Sequence, residues 1–474
     1  MDVLAIGTEI GVLALALFTL AVDLLLPGKE QRKSIAAIAI LGLLALLLFS
    51  GSQYHDGGSQ TFYQGLYVVD NYSLFFKQLA IVGVLFTILF SGEYVQGQVA
   101  YRGEFYSLLL FALLGMCVLA SANDFLTAFV GLELMTISFY VLVGCRLGSH
   151  FSSEAAVKYL IIGSGSSAVM LFGISLLYGA TGSLLFADIC QSMHLFYPIG
   201  IAGITMVLIG FFFKLSIIPF HMWAPDVYEG APAPVTALLA MGSKAAALAI
   251  TMRVLYTAFP MLGLYWLPIL AAVSAICMVG GNTMAMAQSD VKRMLAYSSI
   301  AQAGYMMVGI VAADVPGMKA VMFYATLYVF ANIGAFAVLT AIEDQVGKAD
   351  REHIAGLAQK APILAAVMTV SLLSMAGIPP TAGFAGKIYL FTAAVEQGYL
   401  WLSVVGFVMS MISVYYYLLV VKAMYLGEPD DKPVAISGAL RASVVLAAVA
   451  TIGLGVCPEH LAQLTNLASS TFLQ

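Results

Sequence analysis

Charge is scarce in this sequence. Asp, Glu, Lys and Arg make up 9% of its 474 residues, against 61% hydrophobic, and the mean hydropathy is +0.97. So few charges cannot solvate a water-facing surface, which excludes a soluble enzyme and a membrane-anchored one with a large aqueous domain. A net charge of −5 leaves no basic face for nucleic acid. Cysteine is nearly as rare. Cys117, Cys145, Cys190, Cys277 and Cys457 form no CxxC pair and no metal-ligand spacing, and they read as buried small residues. No two histidines are placed on helices for haem, no cysteines cluster for iron and sulfur, and no Gly-rich loop follows a strand. The run GSGSSAVMLFG at 163–173 reads as a helix-packing face. The chain is therefore expected to carry no electrons and to bind no cofactor or metal. A basic leader is lacking too: with Asp2 and Glu9 in it, the first apolar segment is expected to be a retained helix.

What is present is apolar length. A bilayer crossing takes about 20 apolar residues. Apolar windows bounded by Gly, Pro and charge predict fourteen helices, at 3–26, 34–50, 72–92, 106–122, 125–147, 155–180, 199–222, 234–258, 264–287, 293–312, 317–342, 362–396, 399–426 and 438–457. Lys and Arg alternate with them. Lys29, Arg32, Lys33, Arg102, Arg146, Lys292, Arg293, Lys348, Arg351, Lys360, Lys432 and Arg441 fall in one set of loops, and only Lys319 sits clearly near the other side. Positive residues gather on the inner face, so both termini are expected outside.

Two proline-bearing stretches interrupt helices. KLSIIPFHMWAPDVYEGAPAP carries Pro219 inside the seventh apolar run, and SMAGIPPTAGFAGK carries Pro379 and Pro380 inside the twelfth. Proline removes a backbone donor and clashes with the preceding turn, so both helices should unwind locally. Open backbone at that depth survives only inside protein or beside a wet cavity. Breaks five helices apart predict two five-helix units of opposite orientation, as in inverted-repeat transporters. The expected architecture is an all-α polytopic membrane protein of about 14 helices. Residues 1–100 form a three-helix segment, 104–260 the first unit, 261–427 the second, and 428–474 carry the last helix.

Glu133, Lys214, Lys244 and Lys387 each lie well inside a predicted span. An ionisable residue at a helix centre costs about 2.5–3.5 kcal/mol, and the default reading of such a residue is an ion or proton pathway. Lysine exchanges protons where its surroundings do not fix its charge, and a movable carboxylate can alter that balance. Glu133 is the natural counter-charge for Lys214. Lys158 follows Glu154 by four residues near an inner helix end, so a surface pair and a relay role are equally open. Arg253 and Lys77, near span ends, are expected to snorkel. His221, beside the first break, is a candidate proton carrier. His55, His150, His194, His353 and His460 are given no role.

The segments SANDFLTAFVGLELMTISFYVL, KLSIIPFHMWAPDVYEGAPAPVTALLAMGSK, SDVKRMLAYSSIAQAGYMM and LLSMAGIPPTAGFAGKIYLF resemble the antiporter-like membrane subunits of respiratory complex I. The likeness runs over nearly the whole chain. It implies a proton-translocating subunit of an NADH-quinone oxidoreductase, with fourteen helices in two inverted repeats. It also implies a relay at the membrane centre made by the residues here numbered Glu133, Lys214, Lys244 and Lys387, with Lys158 in the sixth helix. A lysine in the twelfth helix, where some sister subunits have glutamate, and a chain too short for a long lateral helix narrow the resemblance. NADH, FMN, iron–sulfur clusters and quinone would then belong to other subunits of the parent complex, and the partners would be sister antiporter-like subunits and membrane lipid in a bacterial inner membrane. A subunit of a multi-chain Na+/H+ antiporter or a membrane-bound hydrogenase would share the pattern. A non-pumping scaffold, whose charges only join helices, is the alternative from another class.

Overall fold

The computed structural model describes residues 2–25, 32–54, 59–99, 101–146, 148–192, 197–429 and 436–472. Lys29, His55, His194 and Lys432 lie outside them. Thirteen helices in the described residues are long and apolar enough to cross a membrane. A further crossing is split between Pro362–Ala376 and Ala382–Glu396, which accounts for the fourteen expected from the sequence. Ala233–Ala258, Val291–Ala312 and Val315–Val346 are almost wholly enclosed by the rest of the chain, whereas Gly7–Leu25, Ser34–Gly51 and Gly438–Val456 present most of their surface outward. Apolar side chains can face lipid at no cost, so the interior is where the polar ones collect.

Several helices start on acidic caps. Asp70 accepts from the Ser73 amide and closes a capping box for Asn71–Gln98. Asp124 accepts from the Leu126 and Thr127 amides ahead of Phe125–Val143. Asp290 and Asp314 do the same for Val291–Ala312 and Val315–Val346. Each satisfies donors that the first helical turn leaves open. Two 32-residue helices, His150–Thr181 and Val315–Val346, end on glycines in the left-handed region, Gly182 and Gly347.

Helix pairs approach closely where a glycine removes the side chain. A Cβ on Gly115 would lie 2.5 Å from the Met135 amide nitrogen, and one on Gly281 would lie 2.7 Å from that of Ala301. The hairpins Arg102–Ser121/Phe125–Val143 and Gly263–Met286/Val291–Ala312 therefore pack backbone against backbone.

The structure departs from the expected helices in several places. The seventh helix stops at Leu215 instead of running to 222, and a short helix Trp223–Gly230 follows the break. A hairpin, Gln60–Phe62 with Tyr67–Val69, and a short helix, Phe186–Ser192, occupy predicted loops. A helix Glu459–Phe472 follows the last crossing. Of the cysteines, only Cys117 and Cys277 are buried; Cys145 and Cys190 are partly so, and Cys457, which ends Gly438–Val456, is exposed.

Candidate proton-relay site

The two breaks are built alike. Before the first, the Ser216 amide donates to Phe213 O and the Ile217 amide to Phe212 O; before the second, Gly377 donates to Ser374 O and Ile378 to Leu373 O. Ser216 and Gly377 are the left-handed residues, at φ +59° and +84°, and in both the helix stops at its turn. Glycine suits that conformation and serine does not. The Ser216 hydroxyl also has no hydrogen-bond partner among the described residues. Ser216→Gly is therefore expected to raise stability by about 1 kcal/mol, and Gly377→Ala to lower it by about 1–2 kcal/mol. A Cβ on Gly377 would also meet Lys387 Cδ at 2.9 Å. Thermal unfolding of the two variants in detergent checks both signs.

Lys214 sits two residues before its break and is fully buried. Its Nζ donates to Thr136 Oγ1 at 2.9 Å and to Tyr159 OH at 2.7 Å. The rings of Phe139 and Tyr159 lie 5.4 and 5.3 Å from the nitrogen, within cation–π range. Trp223, just past the break, stacks on Tyr159 at 4.7 Å and donates its indole N–H to Phe213 O. Glu133, one turn from Thr136 on Phe125–Val143, acts on Lys214 through space but makes no ion pair with it. Its carboxylate accepts from the Ser167 hydroxyl.

Lys244 follows a single π-helical turn, Leu239–Ser243, a widening that frequently marks functional positions. Its Nζ donates to Ser299 Oγ at 2.8 Å and Ser299 O at 2.9 Å. Lys387 closes the second break: its Nζ donates to Met375 O, Ala376 O and Ser410 Oγ at 3.0, 2.9 and 2.7 Å. The first two are orphan carbonyls at a helix C-terminus, where a cation is favoured. The Tyr305 ring lies 4.4 Å from the same nitrogen and is oriented by Asn282, which in turn accepts from Tyr416.

Between Lys244 and Lys387 runs a chain of neutral polar groups. Ser298, adjacent to Ser299, is hydrogen-bonded to Tyr417. Gln302 donates to Tyr417 OH at 3.3 Å and to Met375 O at 3.0 Å, and accepts from Tyr324. Met375 O thus serves Gln302 and Lys387 together. Sequence reading missed Thr136, Tyr159, Ser299, Gln302, Tyr324 and Tyr417, because none is costly enough alone to stand out among membrane helices.

Six Lys or Arg side chains are buried among the described residues: Lys77, Lys214, Lys244, Arg253, Lys292 and Lys387. Half are matched by carboxylates. Lys77 pairs with Glu9 at 2.9 Å, Arg253 with Asp70 through both guanidinium arms, and Lys292 with Glu343 at 2.6 Å. Lys77 and Arg253 thus do not snorkel; each finds a carboxylate remote in sequence. The other half, Lys214, Lys244 and Lys387, meet only neutral oxygens and aromatic faces among the described residues. Among the described residues, no counter-charge at hydrogen-bond distance fixes their protonation.

Lys158 differs from these. It is 42% exposed and bridges Glu154 and Asp226 at 2.7 and 2.8 Å; Asp226 also binds Arg293, which binds Glu229. His221 lies partly buried in the first break and makes no hydrogen bond to any of the lysines. A polar cavity of about 610 Å³, walled by Arg146, His150, Glu229, Asp290, Lys292 and Asp350, opens beside this cluster. Burial pushes the Asp290 carboxyl up to about 6, against the Arg293 amide and the Lys292 charge that pull it down. A carboxyl raised in the fold contributes stability below its unfolded value near 3.8 and loses that contribution as pH rises through 6. Asp290→Asn keeps the cap, so it is expected to flatten the pH dependence of the unfolding midpoint between pH 4 and 7 and to raise that midpoint at pH 7.

Comparison with known proteins agrees with this geometry. Residues 122–413 match the family described as NADH:quinone oxidoreductase/Mrp antiporter, TM. NADH-quinone oxidoreductase subunit N of Heliobacterium modesticaldum is 47% identical over 99% of this chain and 100% of its own. A chain in the structure of respiratory complex I from Thermus thermophilus with bound aureothin is 35% identical, with a TM-score of 0.83 over 96% of this chain and 98% of that one. A chain of the Mrp complex from a Dietzia species shares the fold, at a TM-score of 0.90 and 21% identity over 100% of this chain and 98% of that one. The chain belongs to the NADH:quinone oxidoreductase/Mrp antiporter family of transmembrane proteins, and within it to the subunit N group of NADH-quinone oxidoreductase.

Proposed function

We propose that this chain is the proton-translocating subunit N of an NADH-quinone oxidoreductase, and that protons cross it by way of Lys214, Lys244 and Lys387. The observation that carries this reading is the division of buried cations into carboxylate-bound and carboxylate-free sets. A scaffold has no use for unpaired lysines, since apolar residues of the same volume pack as well and avoid the desolvation cost. A relay has, because each group must accept and release a proton in turn. Glu133 acts as the movable counter-charge of Lys214, and the Lys158–Asp226–Arg293 network fixes the helix after the first break. His221 can carry protons between the break and the lysines. The polar cavity beside Lys292 is the inner-side uptake route.

The driving energy comes from NADH oxidation and quinone reduction in other subunits, where FMN and the iron–sulfur clusters reside, alongside sister antiporter-like membrane subunits. Residues 104–260 and 261–427 act as two inverted units, flanked by 1–100 and 428–474, and both termini lie outside. Support for two units comes from the matching breaks and caps. The test is the assembled complex in sealed vesicles: Lys244→Met should lower protons moved per NADH while NADH oxidation by uncoupled vesicles is kept. Unchanged stoichiometry would favour a scaffold.

A further inference from the structure

Register links the two halves beyond the breaks. Thr136 stands twelve residues after the Asp124 cap, and Gln302 twelve after the Asp290 cap. Tyr159 stands ten residues after the Ser149 cap, and Tyr324 ten after the Asp314 cap. Lys214 and Met375 each stand two residues before the left-handed residue of a break. In the first half, Thr136 and Tyr159 together hold the Lys214 ammonium. In the second, Met375 has no charge to hold, and the place is filled from the other side: Gln302 reaches across to Met375 O while Tyr324 donates to Gln302 Oε1. All three are buried, with Gln302 wholly so.

We propose that Gln302, held by Tyr324, is a positioning residue for Lys387, acting through the Met375 carbonyl that both share. This rests on the relay reading above. A carbonyl oxygen has two lone pairs. With Gln302 on one, the carbonyl is held at the angle that offers the other to Lys387 Nζ. When Lys387 withdraws, Gln302 keeps the buried carbonyl from being orphaned, a state that leaves its desolvation uncompensated. The swing of Lys387 to and from the helix end is thereby made cheap and repeatable. A cavity of about 10 Å³, room for one water, is bounded by Tyr324, Ser374 and Met375, so the segment around the second break borders space that can be wet. Tyr417, hydrogen-bonded to both Gln302 and Ser298, ties the same amide to the neighbour of Lys244's acceptor.

The test uses the assembled complex in vesicles, scored as protons moved per NADH and normalised to the amount of complex. The pumping that Lys387→Met removes defines the share at stake. Gln302→Leu, of similar volume but without donor or acceptor, is expected to cut that share about fivefold or more. Gln302→His, whose ring N–H reaches a similar distance, should restore most of it, a rescue that a merely space-filling role does not require. Tyr324→Phe, which frees the amide but keeps the ring, should fall between, and it decides the matter if Gln302→Leu does not assemble. Wild-type stoichiometry in Gln302→Leu, or in Tyr324→Phe where the leucine variant fails to assemble, overturns the proposal, as does a histidine variant no better than leucine. If Lys387→Met itself pumps normally, the relay reading has failed first.

Discussion

Replacing Lys214 by methionine is expected to stop proton movement through this subunit while leaving the complex assembled. Loss of flow and retention of assembly have separate causes. Among the described residues, Lys214 Nζ is bound only by Thr136 and Tyr159, two neutral hydroxyls, beside the rings of Phe139 and Tyr159, the latter backed by Trp223. Methionine has nearly the same length and leaves no orphaned charge behind, so the packing survives. What is lost is a group that can take and return a proton at that depth. A positioned acid–base side chain contributes about 10²–10⁴-fold to a proton-transfer step, so flow through this subunit should drop by at least that lower bound. Sealed vesicles should show fewer protons per NADH, with the redox rate of uncoupled membranes preserved. Glu133→Gln should show a smaller loss, because Glu133 acts on Lys214 at a distance rather than by direct pairing.

The opposite pattern is expected at Arg253. Arg253→Leu leaves Asp70 charged and almost wholly buried, with two of its hydrogen-bond donors gone. Breaking one partner of a buried pair costs about 3–5 kcal/mol, a large part of a typical folding free energy of about 5–15 kcal/mol. The variant should assemble poorly and unfold at a much lower temperature. Adding Asp70→Asn should recover most of the loss. Asparagine removes the stranded charge yet still caps Asn71–Gln98, since Asn ranks with Asp at that position. Protons per NADH should stay normal in whatever complex the double variant forms. The two substitutions thus separate cations that hold the bundle from cations that work in it.

That division was only half legible in the sequence. Pro219, Pro379 and Pro380 announced both breaks, because proline inside an apolar run has no other reading as strong. Lys214, Lys244 and Lys387 announced themselves by cost. The roles of Lys77 and Arg253 were misread, since distance from the span centre suggested snorkelling and nothing in the sequence brings Asp70 to Arg253, 183 residues away. Gln302 and Tyr324 were invisible for a different reason: an uncharged polar residue in a membrane helix carries little penalty, and its meaning lies in the partner that packing supplies. Lys158 is ambiguous from the sequence; the structure shows it pairing with Glu154 along its helix, as the four-residue spacing suggests, and also with Asp226 across the break, a partner the spacing does not reveal.

The relay is tested most directly by the proton stoichiometry of Lys214→Met, Lys244→Met and Lys387→Met singly and combined. Groups that hand on one proton in series fail together, so removing one is as damaging as removing all. The same loss of protons per NADH is expected for each single variant and for the triple. Losses that add across the three, or a triple variant that pumps as the unmodified complex does, would contradict it.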